Sequence, residues 1–319
     1  MNRLLLKAAS RLYAAAWEAR RRGYAAGRDR QQRVGARVVS IGNLAAGGTG
    51  KTTLTLGLAR AVIAGGHDAA IICRRYRPGP TGRGDEELLY AAAVGERRVY
   101  AGHSKLGLAG RAASAGHRLL LIDDGFSHWP LARDLDIVLL DAHDPWAGGE
   151  LLPLGRLREP RRALQRAQVV VISQALDLAH AEAVIEQVFA WAPAALWAAG
   201  RHRLTGVRDL NGVEVATRGP ARLVTATGNP AAVERSARVA GYDPVRVSVY
   251  RDHHWFSARQ AERELARAGG EQATLLLTAK DAVRWPVPKD RVAVLEVQWE
   301  WLRGGDAVMA RVLAEGEDS

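Results

Sequence analysis

The segment RVVSIGNLAAGGTGKT at residues 37–52 decides the fold. Its apolar beginning, residues 37–41, predicts a buried strand, and residues 51–64 predict a helix. The glycines within residues 47–50 allow a turn in which several backbone N–H groups converge. The N-terminal end of the following helix adds the positive end of its dipole at the same point. The pattern therefore predicts a phosphate-binding loop.

A loop of this kind predicts a protein that uses a nucleoside triphosphate. Lys51 is expected to reach the β- and γ-phosphates, and the Thr52 hydroxyl is expected to bind Mg²⁺. The general pattern has glycine at position 45, where this chain has Ala45. The residues predicted to bind the nucleotide are Gly47, Gly48, Thr49, Gly50, Lys51, Thr52 and Thr53.

Short apolar runs alternate with helical stretches along most of the chain. Runs such as 69–73, 119–122 and 169–172 are continuously apolar, as in a parallel sheet covered on both faces. Around Asn211-Gly212 the pattern changes to polar–apolar alternation, which predicts a hairpin. We therefore predict two α/β/α domains with mostly parallel sheets, the N-terminal one P-loop NTPase-like, joined by a two-stranded hairpin linker. The predicted bounds are 1–30 for an N-terminal amphipathic helix, 31–175 for the nucleotide-binding domain, and 176–319 for the C-terminal α/β domain, with the hairpin near 203–216.

Composition narrows the class of protein. The single cysteine, Cys73, excludes an intramolecular disulfide, and no apolar run approaches the roughly 20 residues that span a bilayer. The net charge of +11 is compatible with nucleic acid, an anionic membrane surface or an anionic substrate. No helix-turn-helix, zinc or aromatic RNA-binding pattern is visible, so we expect no nucleic-acid partner. No obligate protein partner is evident either.

Basic residues are concentrated in residues 1–24. On a helix, Arg3, Lys7 and Arg11 share one face. The opposite face is predicted to carry the apolar residues Leu5, Ala9, Leu12, Tyr13, Ala16 and Trp17. Such a helix either lies in a membrane interface or packs on its own domain, and the pattern alone favours neither.

An acidic pair follows the predicted strand at residues 119–122. Asp123 and Asp124 stand at its carboxyl end, the edge of a parallel sheet that binds ligands. A P-loop commonly requires such a carboxylate to hold the metal. We therefore predict that Asp123 and Asp124 bind Mg²⁺.

Five segments together resemble the tetraacyldisaccharide 4′-kinase family, the lipid A 4′-kinases of Gram-negative bacteria. They are Gly42-Asn43 with residues 47–52; Gly84-Asp85-Glu86; residues 123–128 followed by 131–136; residues 152–160; and Asp252-His253 with residues 278–282. They occur in the family's order across most of the chain. Departures are Thr53 for a proline, Ser127 for a glutamine and Arg75 for a glycine.

The resemblance implies an activity, a fold and a location. Members transfer phosphate from ATP, with Mg²⁺, to the 4′-hydroxyl of a lipid-linked disaccharide, the tetraacyldisaccharide 1-phosphate, giving lipid IVA. Their two α/β domains are joined by a two-stranded linker, with the active site in the cleft. They work at the cytoplasmic face of the inner membrane, on which the N-terminal helix docks. The positioning-type P-loop ATPases are the alternative class, although they carry a second lysine where this chain has Ala46.

The resemblance also implies roles for particular residues. Asp85 matches the catalytic aspartate, and His253 matches the histidine that tunes it, with the adjacent His254 as a competitor for that role. Lys51 is the third catalytic residue. Glu159 is a further candidate metal ligand. Candidate substrate contacts are Asn43, Arg74, Tyr76, His128 and Arg158.

Overall fold

The computed structural model describes residues 3–216, 218–228, 230–286 and 292–314. The helices and strands follow in chain order: α1 Arg3–Ala25, β1 Arg37–Asn43, α2 Lys51–Ala64, β2 Ala69–Arg74, α3 Asp85–Val94, β3 Val99–Gly102, α4 Lys105–Ser114, β4 Leu119–Asp123, β5 Leu135–Asp141, β6 Val169–Ser173, α5 Leu178–Val188, β7 Leu196–Asp209, β8 Gly219–Thr225, α6 Pro230–Val239, β9 Tyr242–Val249, α7 Ala258–Gly270, β10 Thr274–Thr278, α8 Ala279–Ala282, β11 Val292–Arg303 and α9 Gly305–Leu313.

The chain forms two compact units, each built from separate stretches of sequence. The first consists of Met1–Arg74, Val94–His202 and Trp299–Ser319, and the second consists of Arg75–Ala93 and Arg203–Gln298. The domains predicted from the sequence were each continuous, so the structure differs in assigning residues 75–93 to the second unit and the C-terminal segment to the first. Residues 1, 2 and 315–319, which the predicted domains include, lie outside the described part of the chain.

The first unit is a parallel sheet with the phosphate loop at its centre. Its strand order is β3-β2-β4-β1-β5-β6-β7, and β1 pairs in parallel with both β4 and β5. One face packs against α4 through Leu108, Ala109 and Ala112. The same face carries a second core that includes Trp17 and Trp129, because Val138 of that core lies in register with Gly42 of β1. The other face is covered by α2, which contacts β1, β2 and β4 and buries Leu54, Leu58 and Val62. Coverage on both faces accounts for the continuously apolar strands.

The second unit repeats this layering on a smaller scale. Its strand order is β11-β10-β8-β9, and the strands pair in parallel. One core contains Phe256 and Trp285, and another contains Ala237 and Tyr242. The two-domain, mostly parallel α/β class predicted from the sequence is confirmed.

Two strands connect the units, because β7 and β11 each continue from one unit into the other. In the first unit Arg201 pairs with Glu300 at 2.6 Å, and in the second Arg208 pairs with Glu296 at 3.0 Å. The hairpin predicted around Asn211-Gly212 is present: Arg208 and Glu214 form an antiparallel bridge, the Val215 N–H donates to the Val207 carbonyl at 2.9 Å, and Gly212 has a φ of 84°. The second connecting strand is nevertheless β11 rather than the chain just after that turn. A pairing across some ninety residues leaves no local signal in the sequence.

Helix α1 divides its apolar residues between the protein and the surface. Trp17 is buried, and the Ser10 hydroxyl donates to the carbonyl of Leu151 at 3.1 Å. Leu5 and Leu12 are 65% and 73% exposed. The single apolar face predicted from the sequence is therefore wrong, because at about 100° per residue Leu12 and Trp17 lie about 140° apart. Among the described helices none is both long and apolar enough to cross a membrane.

Candidate active site

The phosphate loop joins β1 to α2 as the sequence predicts. Gly50, at the N-terminal end of α2, has a φ of 85°, and Gly47 has a φ of 133°. A Cβ atom on Gly50 would also stand only 2.8 Å from Nε2 of His202. Asn43, the last residue of β1, donates from Nδ2 to Oγ1 of Thr49 at 2.9 Å. Glycine at position 50 is favoured by the positive φ, which other residues rarely adopt, whereas the His202 side chain could move away from a Cβ atom.

The strand-end aspartates lie beside this loop, since β1 and β4 are neighbours with Ile41 opposite Asp123. Asp123 is buried at the end of β4. Asp124 accepts two hydrogen bonds from Arg158, both 2.8 Å, and lies 3.7 Å from the Lys51 ammonium. Burial raises the pKa of Asp124, but the Arg158 hydrogen bond and the charges of Lys51, Arg158 and Lys105 outweigh it and hold that pKa below its usual range.

Arg158 fixes the geometry around the loop. Its Nη2 donates to Oδ1 of Asn43 at 2.6 Å, and its Nε donates to the carbonyl of Ala45 at 3.2 Å. The Tyr13 hydroxyl of α1 donates to the Arg158 carbonyl at 2.8 Å. One guanidinium therefore connects the end of β1, the loop and the Asp124 carboxylate.

Glu159 is occupied by neighbours within the first unit. It is 1% exposed, accepts from the Ser127 hydroxyl at 2.6 Å, and accepts from Nη2 of Arg166 at 2.7 Å. Each carboxylate oxygen has a further lone pair, so these bonds orient Glu159 without excluding metal binding, and its role as a metal ligand stays a prediction. Ser127, a departure from the family pattern, thus has a defined partner.

The donor set fits Mg²⁺ bound together with nucleotide. Within the described ranges, no three His, Cys, Asp or Glu side chains converge as a metal cluster. Mg²⁺ usually takes only one or two carboxylates and completes its octahedral shell with phosphate oxygens and water. A buried Asp123 at the strand end and the Thr52 hydroxyl on the first turn of α2 suit that arrangement.

The second unit brings Asp85 and His253 together. Asp85 begins α3, is 2% exposed, and its Oδ2 lies 2.8 Å from Nδ1 of His253. The backbone of His253 is held at a φ of 60°, a conformation that non-glycine residues rarely adopt and that is frequent at functional sites. The two residues are 168 positions apart, so the fold creates the pair.

Two basic residues complete the surroundings of Asp85. Nη1 of Arg284 lies 3.5 Å from Oδ2, and Nζ of Lys280 lies 3.9 Å from it. Burial raises the pKa of Asp85, but the hydrogen bond from His253 and the charges of Lys280, His253 and Arg284 prevail and lower it. The carboxylate is consequently ionised at neutral pH.

Sequence reasoning did not select Lys280 or Arg284 as site residues. Thr278 caps α8, its hydroxyl donates to Asp281 at 2.7 Å, and Asp281 in turn accepts from Arg284 at 2.6 Å. Lys280 lies within residues 278–282, one of the segments that resemble the family, so that resemblance could have indicated it. Arg284 lies just beyond that segment and had none.

Lys105 was also missed. It is buried at the start of α4, and its ammonium donates to the carbonyl of Asp124 at 2.5 Å. Burial lowers its pKa, against the opposing charges of Asp124 and Asp123. A lysine at a helix start after Ser104 carries no distinctive sequence pattern.

Three other predicted site residues, His254, Tyr76 and Arg74, differ in their surroundings. His254 stacks on Tyr250 and lies 3.1 Å from Oε1 of Gln260, so it is not beside Asp85 in the way that His253 is. The ring of Tyr76 stands edge-on to His253 with centroids 5.2 Å apart. Arg74 is exposed at the end of β2 and makes no side-chain hydrogen bond with any described residue.

His128 matches the family pattern and is governed by burial, whereas Arg75 departs from the pattern and has gained an ion-pair partner. Burial and the charges of Lys105, Arg133 and Arg20 lower the pKa of His128 to about 4, so its ring is neutral at neutral pH. Arg75 forms a two-point ion pair with Glu87, at 2.9 and 3.1 Å. The substitution of glycine by Arg75 is therefore matched by a carboxylate on α3.

A phosphate loop with strand-end aspartates, and a buried carboxylate–imidazole pair in the second unit, define a P-loop phosphotransferase. The family model of tetraacyldisaccharide-1-P 4′-kinase, LpxK, matches residues 2–315, and the chain belongs to this family. A tetraacyldisaccharide 4′-kinase of Anaeromyxobacter sp. strain K is 35% identical over 308 residues, covering 87% of this chain and 81% of the relative. That of Syntrophobacter fumaroxidans is 36% identical over 308 residues, covering 88% and 79%.

The fold is also that of a solved structure. The "apo" form of LpxK from Aquifex aeolicus in complex with ATP aligns with a TM-score of 0.75 and 22% identity over 98% of each chain. The family match and these relatives do not favour the positioning-type ATPase.

Proposed function

We propose that this protein transfers the γ-phosphate of ATP to the 4′-hydroxyl of a tetraacyldisaccharide 1-phosphate, giving lipid IVA. The Asp85–His253 hydrogen bond of 2.8 Å is the observation that carries the proposal. A phosphate loop alone indicates only the use of a triphosphate. Transfer to an alcohol also requires a group that accepts the hydroxyl proton, and this pair supplies one.

The first unit supplies positioning and charge neutralisation. The loop amides of residues 47–52 and the Lys51 ammonium are proposed to hold the β- and γ-phosphates. Thr52 and Asp123 would hold Mg²⁺, which neutralises phosphate charge when bound. Arg158 is proposed to keep Asp124 and Asn43 in place, because its guanidinium already bonds both of them. Phosphoryl transfer depends mainly on such positioning.

The second unit supplies the proton acceptor. Asp85 is proposed to take the proton of the 4′-hydroxyl as the oxygen attacks the γ-phosphorus and ADP leaves. His253 orients the carboxylate through Nδ1 and shares the proton. In a loose transition state the attacking oxygen has formed little of its bond to phosphorus, so its proton can be removed without a strong base. A carboxylate of lowered pKa is therefore a sufficient proton acceptor. Tyr76, edge-on to His253, is the candidate substrate contact beside this pair.

Helix α1 is proposed to dock on the cytoplasmic face of the inner membrane. Its exposed leucines, Leu4, Leu5 and Leu12, lie on the same helix as the exposed Arg3, Lys7 and Arg11. Apolar side chains that enter the headgroup region and cations that meet anionic lipids are the features of an interfacial helix. Ser10 and Trp17 meanwhile fix the helix to the first unit.

The decisive experiment incubates the protein with γ-labelled ATP, Mg²⁺ and tetraacyldisaccharide 1-phosphate in detergent. We expect label in a lipid product that carries the new phosphate at the 4′ position. The Lys51→Ala variant should give at least about 100-fold less product, the scale of lost electrostatic stabilisation. ATP hydrolysis without label in the lipid would overturn the proposal.

A further inference from the structure

The segment 75–84 of the second unit forms a folded loop that precedes α3. The N–H of Gly79 donates to the carbonyl of Arg83 at 2.8 Å, which closes the loop on itself. Arg75 and Arg83 both pair with Glu87 of α3, at 2.9 and 3.1 Å. The base of the loop is therefore fixed to the helix that begins with the proposed proton acceptor.

The same loop is bound to the segment that carries His253. Nη1 of Arg77 donates to the carbonyl of Asp252 at 3.2 Å. In the opposite direction, Nε1 of Trp255 donates to the carbonyl of Arg77 at 2.9 Å. A Cβ atom on Gly79 would stand only 2.5 Å from Cε3 of Trp255, so the loop backbone lies directly against the indole ring. Two segments that are 175 and 178 positions apart in these bonds are thus joined by reciprocal hydrogen bonds and by packing.

These contacts act on the backbone of His253. The carbonyl of Asp252 and the N–H of His253 belong to one peptide unit, which is planar. Arg77 donates to the carbonyl of this unit, and its N–H donates to the carbonyl of Ala226 at 3.3 Å. With both ends of the unit held, the φ of 60° at His253 is maintained. A residue other than glycine keeps such a conformation only where its surroundings stabilise it.

Arg77 also lies against the aromatic ring beside His253. Its guanidinium stands 5.2 Å from the centroid of the Tyr76 ring, which in turn meets the His253 ring edge-on. A cation is attracted to the face of such a ring. Arg77 itself has a φ of 42°, which is also uncommon for a residue other than glycine. The hydrogen bond from Trp255 to its carbonyl helps to hold that conformation.

We propose that Arg77 is a positioning residue for the transfer reaction, and that it acts on the acceptor side of the site through His253. Trp255 holds the Arg77 backbone, and the Arg77 side chain holds the peptide unit before His253. The proposal rests on the proposed transfer reaction, because that reaction gives the Asp85–His253 pair its role. An imidazole that turns away no longer orients the carboxylate, so loss of Arg77 lowers the rate of transfer and leaves the binding of ATP unchanged.

Arg77→Gln tests the contribution of the side chain. In the assay with labelled ATP, Mg²⁺ and the lipid acceptor, kcat should fall about three- to tenfold, the scale of one lost hydrogen bond, while the KM for ATP stays unchanged. Arg251→Gln is the matched control, because Arg251 is exposed one residue before Asp252 and makes no side-chain hydrogen bond with any described residue. It should retain wild-type kcat. An equal fall in both variants would show that Arg77 acts by its charge alone and would overturn the proposal.

Trp255→Phe tests whether the indole acts through Arg77. The variant keeps an aromatic ring against the loop and removes the Nε1 donor, so kcat should fall about threefold. Combined with Arg77→Gln, it should lower kcat by no more than about twofold beyond Arg77→Gln alone. Losses that multiply would show that Trp255 acts independently of Arg77 and would overturn the proposed arrangement.

Amide hydrogen exchange gives a measurement that needs no acceptor. In peptides that cover residues 251–256, Arg77→Gln should speed exchange at least about threefold relative to Arg251→Gln, at an unchanged thermal unfolding midpoint. If the wild type transfers no label to lipid, the proposed function fails, while faster exchange still supports the hold of Arg77 on His253. If the wild type transfers label and Arg77→Gln keeps full kcat, the positioning role is overturned and the proposed function stands.

Discussion

Substitutions of Asp85 and of His253 are predicted to lower the transfer rate by removing the same interaction, so their effects should not multiply. Asp85→Asn keeps the size of the side chain and an acceptor for the Glu86 amide, which donates to Asp85 at 2.9 Å, but it removes the charge and the base. His253→Gln removes the imidazole at 2.8 Å. Loss of acid–base help costs about 10²–10⁴ in rate, so each single variant should fall at least about 100-fold.

The rate loss of the double variant tests whether the two residues act as a pair. A loss of about 100-fold corresponds to about 2.7 kcal/mol of transition-state stabilisation. Independent residues would lose about 5.4 kcal/mol together, or about 10⁴-fold. Because the carboxylate and the imidazole share one hydrogen bond, we expect Asp85→Asn with His253→Gln to stay within about tenfold of the weaker single variant.

The assay is kcat/KM for the lipid acceptor at saturating ATP. His254→Gln is the matched control, since His254 stacks on Tyr250 instead, and it should retain wild-type kcat/KM. The thermal unfolding midpoint is measured in parallel, because Asp85 also faces Arg284 and Lys280. Losses that multiply in the double variant, or full activity in either single one, would refute the pairing.

Four further predictions rest on separate features. Arg158→Lys loses the two-point bond to Asp124 and should raise the KM for ATP at least about tenfold with little change in the acceptor KM, measured by initial rates; equal effects on both would argue against it. Lys280→Gln removes a charge that lowers the pKa of Asp85, so the acid limb of the pH–rate profile should move to higher pH, and an unmoved limb would contradict this. The pKa of His128 is about 4 in the folded protein and 6.5 ordinarily, so the unfolded state takes up the proton first and the free energy of unfolding, measured in urea, should fall as pH drops from 6.5 to 4, a loss that should be smaller in His128→Gln; an equal loss in the variant would contradict this. Leu12→Asp should weaken sedimentation with anionic vesicles without lowering the unfolding midpoint, because Leu12 is 73% exposed; unchanged sedimentation would exclude it from docking.

Local patterns predicted the phosphate-binding part of the fold well. The strand–loop–helix of residues 37–64 depends on neighbouring residues alone, and β1 and α2 lie where periodicity placed them. The strand ending at Asp123 is equally local. Its position beside β1 follows from the parallel sheet that the apolar runs predict.

What the sequence could not supply are contacts made over long separations. Nothing near Asp85 indicates that Arg284 stands 3.5 Å away, and nothing near residues 75–93 indicates that they belong with 203–298. The prediction for α1 failed for a local reason as well, because Leu12 and Trp17 lie about 140° apart on a helix and were assigned to one face. Helical periodicity shows which residues share a stripe, but the choice of the buried stripe is made by the surface that Trp17 meets.

The discontinuous course of the chain has a consequence for synthesis. The polypeptide passes from one unit to the other after residues 74, 93, 202 and 298. Arg37, at the start of β1, donates to the carbonyls of Arg311 and Val312 in α9 at 2.8 and 3.1 Å. The first unit therefore cannot make all its contacts until the last part of the protein has left the ribosome. A fragment that ends at residue 175, although it contains the whole phosphate loop, would expose the β6 edge and leave Arg37 without these carbonyls.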